Sequence, residues 1–185
     1  KRHALLALHL EKRQGNTPNK RAIPRLSREE TNAFPLSFAQ ERLWILDQIE
    51  TDQAVYNTTS ALRLTGVLNR EAMAHAFSAI GQRHETLRTT FALRDGQLLQ
   101  IIAPAPAIPL PVIDLRGLSQ ATREVEAQQL ARQEMRRPFD LTKGPLLRPI
   151  LIWLDEAEYI LLLTTHHIIV DAWGATVLVQ ELSAS

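Results

Sequence analysis

The hydrophobic and polar positions change period several times along the chain. After Ser37 the apolar residues fall at helical intervals, Leu43 with Leu46 and Ile45 with Ile49. Residues 38–50 are therefore expected to form an amphipathic helix with Trp44 near its buried edge. Ser37 and Gln40, three apart, supply a capping box at its start. A period of two takes over from Tyr56 to Thr65, and the strand ends at Gly66. It places Leu62 and Leu64 on one face and Ala61, Arg63 and Thr65 on the other. An arginine in such a strand snorkels to water. Asn69 then caps a helix with Met73, Phe77, Ile80 and His84 on one stripe. His84 on that stripe reads as a satisfied core histidine.

Asp95-Gly96 is a hairpin turn between strands expected over residues 88–93 and 97–102. Pro104, Pro106, Pro109 and Pro111 make the next stretch a loop, because proline cannot continue a helix. Ser119–Arg136 is charged and glutamine-rich, with Val125, Leu130 and Met135 as its thin apolar side, so a surface helix covering a sheet is expected. After a turn-rich connector over residues 138–145, two apolar runs, 146–154 and 158–165, read as strands joined at Asp155-Glu156-Ala157. A last helix opens near Gly174 and runs past Leu182. At the other end, residues 1–15 read as a linker or docking helix, and 16–33 as a polar linker. The order of elements predicts an α/β (α+β) two-layer sandwich, a mixed sheet with helices on its faces.

Composition narrows the classes. The 185 residues are 45% hydrophobic and 22% charged, with a net charge of +1. Balanced charge gives no footprint for nucleic acid or an acidic membrane surface. No apolar run reaches the roughly 18–20 residues of a membrane span. The first segment lacks the continuous apolar core of a secretion signal. With no cysteine, disulfides and thiolate metal sites are excluded, and a cytoplasmic setting is compatible.

The candidate chemistry sits where the last strand ends, at His166-His167-Ile168-Ile169-Val170-Asp171. Successive strand residues face opposite sides, so one imidazole can serve chemistry while the other packs. A neutral imidazole at a cleft can take a proton, orient a nucleophile or assist a developing oxyanion. Asp171 could turn back under that imidazole or meet a buried base elsewhere. Adjacent histidines diverge and no carboxylates share ligand spacing, so no metal is expected. Neither a Gly-x-Ser-x-Gly elbow nor a glycine-rich phosphate loop occurs.

Three stretches in order resemble the condensation domains of non-ribosomal peptide synthetases. Ser37-Phe38-Ala39-Gln40-Glu41-Arg42-Leu43-Trp44-Ile45-Leu46 is similar to that family's first core motif, Arg83–Phe91 to its second, and His166–Asp171 to the start of its third. Softer similarities lie at Tyr56-Asn57, Leu62–Gly66 and Pro138–Leu141. The resemblance implies a chloramphenicol-acetyltransferase-like fold of two lobes, with residues 34–185 as the N-terminal lobe and the second lobe absent. It implies amide-bond formation between a carrier-bound donor acyl or peptidyl thioester and a carrier-bound aminoacyl amine. No cofactor is bound directly; substrates arrive on the phosphopantetheine of donor and acceptor peptidyl carrier proteins. The implied partners are those carriers, the C-terminal lobe and an adjacent adenylation domain.

By motif position His167 is the catalytic histidine, supported by His166, Asp171, Trp173 and Gly174. The family's aspartate is structural and paired with an arginine, which makes Arg63 the expected partner of Asp171. The chain departs from the family pattern at Ala172, where glycine is usual, and at Gly174, where serine is usual. If position 172 needs a positive φ, alanine there is strained by roughly 1 kcal/mol. A lone lobe is expected to be inactive and to expose apolar surface. The complete first motif leans toward an L-configured donor. Two other readings remain: an ester- or amide-forming acyltransferase using a soluble nucleophile, and a catalytically impaired carrier- or partner-binding module.

Overall fold

The structure, a computed structural model, describes residues 31–50, 54–104 and 107–184. The helix expected over residues 1–15 and most of the linker over 16–33 lie outside the described residues. The compact unit begins at Asn32. Its elements are β1 (Ala33–Pro35), α1 (Phe38–Ile49), β2 (Asn57–Thr65), α2 (Arg70–Arg83), a 3-10 turn (Glu85–Arg88), β3 (Thr89–Arg94), β4 (Gln97–Ile102), β5 (Val112–Asp114), α3 (Gln120–Arg136), β6 (Leu147–Asp155), β7 (Glu158–His166) and α4 (Ala172–Ser183).

Where one mixed sheet was expected, the described residues form two. β1, β4 and β3 form an antiparallel three-stranded sheet, and β2, β7, β6 and β5 a four-stranded one in that order. Only the β5–β6 pair is parallel. β1 and β5 are three-residue strands beside prolines, too short to show a period; pairing with β4 and β6 defines them. The end of the expected linker is part of this sheet: Ala33 pairs with Ile101, and Asn32 donates its side-chain amide to Ile102 O at 3.1 Å. Asp95 (φ 49°) and Gly96 (φ 74°) make the expected β3–β4 turn, a left-handed conformation that suits this residue pair.

β6 and β7 are buried on both faces, which explains their nearly unbroken apolar sequence. Leu147, Leu151, Leu161 and Leu163 join the main core with Phe77, Ile80, Phe91 and Leu178. The alternate residues Ile150, Ile152, Leu154 and Leu162 join Ala127 and Leu115 in a second cluster. Helix α3 covers that cluster with Ala127, Leu130 and Ala131. Val125 and Met135, expected on its buried side, are exposed. The face is set by small residues and by ion pairs at its edges, Arg123 to Asp155 and Glu134 to Arg148. His84 is also no core histidine. It stands half-exposed at the C-terminal cap of α2, and its Nε2 lies 2.9 Å from Glu181 Oε2 on α4.

Candidate active site

The end of β7 is tied down on both flanks. His166 N–H donates to Leu146 O at 3.1 Å and His167 N–H to Tyr56 O at 2.9 Å, beside the register pair Asn57–His166 of β2 and β7. A tight turn follows, closed by Ile169 N–H to His166 O at 3.1 Å. Ile168, Ile169 and Val170 are buried in the main core, so the turn is anchored by its apolar residues while His167, just before them, stays exposed.

Both imidazoles are committed to the backbone through Nδ1, in opposite senses. His166 Nδ1 is 3.1 Å from Ile168 N, which donates to it; its proton is therefore on Nε2. His167 Nδ1 is 3.0 Å from Val170 O. A carbonyl only accepts, so this Nδ1 carries a proton, and in the neutral ring the Nε2 lone pair is left as an acceptor.

The two rings occupy different environments. His166 is 0% exposed, with the Tyr56 and Phe139 rings at centroid distances of 6.2 and 6.3 Å. Its Nε2 faces Asp47 Oδ1 at 3.8 Å. Asp47, on α1, is 3% exposed, and neither of these facing atoms has a hydrogen-bond partner. Burial, with a smaller push from His167, takes the His166 pKa down to about 4. Burial raises that of Asp47, opposed by the Gln48 side-chain amide and reinforced by Asp140. His166 is thus neutral at pH 7, and the contact is not a salt bridge, although the distance would allow one.

Asp171 is the N-cap of α4: its Oδ1 accepts from Gly174 N–H at 2.8 Å. A Cβ on Gly174 would lie 3.3 Å from that same Oδ1 and 3.4 Å from Val170 Cγ1, so the absence of a side chain keeps the cap open. Ala172 is the first residue of α4 and is not among the positive-φ residues; the strain considered for it does not arise. Trp173 projects outward, 78% exposed. The expected pair of Arg63 with Asp171 is not formed. Arg63 stands opposite Ile160 while Asn57 stands opposite His166, six residues along the strand and roughly 20 Å away. It points outward instead, to Glu158 and to Glu124 at 2.8 Å, as the strand period required.

A cavity of about 580 Å³ opens beside His167. Its polar lining includes Ser37 and Gln40 from the start of α1, His84, Thr86, Gln100 and His167; the turn residues Ile168–Val170 and Leu178 give it an apolar side. Glu181, held by His84 at 2.9 Å and Arg83 at 3.0 Å, fixes α4 against α2. Those contacts, that with His84 foremost, hold its carboxyl below the usual range. The geometry thus gathers the first and second sequence motifs around the third. Among the described residues no cluster of three His, Cys, Asp or Glu side chains could hold a metal, and no helix is long and apolar enough to cross a membrane. Sequence reasoning passed over Asp47. The available signal was a carboxylate four residues after Leu43 and three after Trp44, on the buried face of its helix.

A family model for the condensation domain matches residues 30–185. The chain belongs to the condensation-domain family. It is 43% identical over 161 residues to malpibaldin synthetase of Mortierella alpina, covering 86% of the chain and 3% of that protein. It is 42% identical over 163 residues to phosphinothricin tripeptide synthetase PhsC of Streptomyces viridochromogenes, covering 88% and 15%. Among solved structures, the starter condensation domain of rhizomide synthetase RzmA superposes with a TM-score of 0.75 at 31% identity, over 81% of this chain and 36% of that one. This condensation-family chain thus spans only a small part of its curated relatives and about a third of the solved domain.

Proposed function

We propose that this chain is the N-terminal lobe of a condensation domain that joins a donor acyl or peptidyl thioester to an acceptor aminoacyl amine. Both substrates are carried on the phosphopantetheine arms of peptidyl carrier proteins. A C-terminal lobe would close the other side of the site, and an adenylation domain would load the acceptor carrier. The observation that supports this reading is His167, with Nδ1–H engaged by Val170 O and its side chain on the wall of the cavity.

In that arrangement the Nε2 lone pair accepts a hydrogen bond from the neutral acceptor amine. The amine nitrogen attacks the thioester carbonyl, the C–N bond forms, and the C–S bond breaks. The amine proton passes by way of His167 to the departing thiolate, so the products are an amide and a free thiol. The neutral tautomer cannot donate from Nε2, which favours base and positioning roles over oxyanion donation. Holding amine and thioester together contributes the larger part of the acceleration. His166, Asp171 and Gly174 shape the turn, and Arg63 and Trp173 take no part in the chemistry.

The test is a reconstitution of the full-length synthetase with both loaded carriers, read by mass spectrometry. An amide product on the acceptor carrier is expected. Product formed only with a free amine or alcohol would transfer the chain to the soluble-nucleophile class, and no product with any acceptor would make it a binding module.

A further inference from the structure

Asp47 and His166 are the two ionisable groups among the buried polar residues described, and they come from elements far apart in sequence. Their contact has a direction. Ile168 N–H occupies His166 Nδ1, which puts the imidazole proton on Nε2, and Nε2 faces Asp47 Oδ1 at 3.8 Å. An unmet buried donor thus looks at an unmet buried acceptor. Less than 1 Å of closure makes a hydrogen bond of ordinary length. Asp47 is also braced from its other side: Gln48 Nε2 donates to Oδ2 at 3.2 Å. Trp44 Nε1, one turn earlier on α1, is a further buried donor with no partner.

We propose that Asp47 is a positioning residue for His167. By accepting Nε2–H it fixes His166 in the tautomer that Ile168 N–H requires, and so holds the turn that presents the neighbouring imidazole to the cavity. Without an acceptor at position 47 the buried Nε2–H is left unmet, and Ile168 N–H alone opposes the move of the proton to Nδ1. A proton on Nδ1 would oppose Ile168 N–H, and residues 166–168 would lose the contact that shapes them. Asp47 touches no reacting atom, so its effect reaches the rate through the placement of His167, where displacements of about 1 Å matter a hundredfold. This inference rests on the reading of the site as a condensation centre.

The experiment uses the full-length synthetase with loaded donor and acceptor carriers, in single-turnover assays across carrier concentrations. Asp47→Ala is expected to lower the saturated rate about tenfold or more while the half-saturating carrier concentration stays within about twofold. Asp47→Asn keeps an Oδ1 acceptor and is expected to return to within about threefold of the unmodified enzyme; it also carries the test if the alanine variant does not fold. A wild-type rate in Asp47→Ala beside an inactive His167→Ala overturns the inference and leaves the site reading intact. Equal losses in the alanine and asparagine variants overturn it too, as does a loss confined to carrier binding. A fully active His167→Ala removes the site reading itself, whatever Asp47 does.

Discussion

Strand β7 has an ionisable contact at each end, and the two are built on opposite terms. At its start Glu158 meets Arg63, which also holds Glu124, and the three side chains are 37%, 45% and 41% exposed. At its end His166 meets Asp47, at 0% and 3%. The first group carries three formal charges in direct contact, but water screens them and the long side chains lose entropy on pairing. The second carries a neutral ring and one carboxylate with little formal attraction. In that dry setting each unmet donor or acceptor weighs heavily. The exposed Arg63 cluster is therefore a poor guide to what specifies the fold at the other end of the strand.

Removing the buried ring should have the largest effect. His166→Ala deletes a fully buried side chain and strips Ile168 N–H of its acceptor, for a loss of about 3 kcal/mol in a urea titration of the chain. Acidification probes the same residue without mutation. The folded chain takes up the His166 proton near pH 4, whereas the unfolded chain takes it up near 6.5. Stability is thus full above pH 6.5 and falls as the pH drops toward 4, by up to about 3 kcal/mol. Asp47 works the other way at the acid end. Its raised pKa lets the folded chain bind that proton first, which flattens the loss. Urea midpoints measured between pH 7 and pH 4 check this, and the slope should shrink in His166→Gln.

Loss of the Asp171 cap is intermediate. Asp171→Ala should cost about 1 kcal/mol and fray the start of α4, seen as lost helical ellipticity. The exposed end should give the smallest effect. Arg63→Ala should cost less than about 1 kcal/mol in the same titration. A loss of about 3 kcal/mol or more would mean that Arg63 belongs to a buried pair after all.

The sequence was most legible where one physical rule acted alone. The capping box at Ser37, the Asp95-Gly96 hairpin and the two-period strand carrying Arg63 are local, and the structure has them. The division into two sheets was not local: β1 and β5 are strands only because β4 and β6 lie beside them. Arg63 shows two rules in conflict. Periodicity placed it facing outward, a resemblance paired it with Asp171, and the strand register sides with periodicity. At the site the turn was readable from His166–Gly174, but not the cap: Asp171 was expected to meet an imidazole or a base, and it caps α4 instead. The Asp47 contact was not readable either, because it depends on how α1 docks against the end of β7.

In the proposed function this turn presents His167 Nε2 to a carrier-bound amine. The direct measurement is the single-turnover rate of amide formation by the full-length synthetase carrying His167→Ala, at saturating donor and acceptor carriers. The expected rate is lower by about a hundredfold or more, the contribution of a positioned base, with carrier half-saturation unchanged. A rate equal to that of the unmodified enzyme would contradict it.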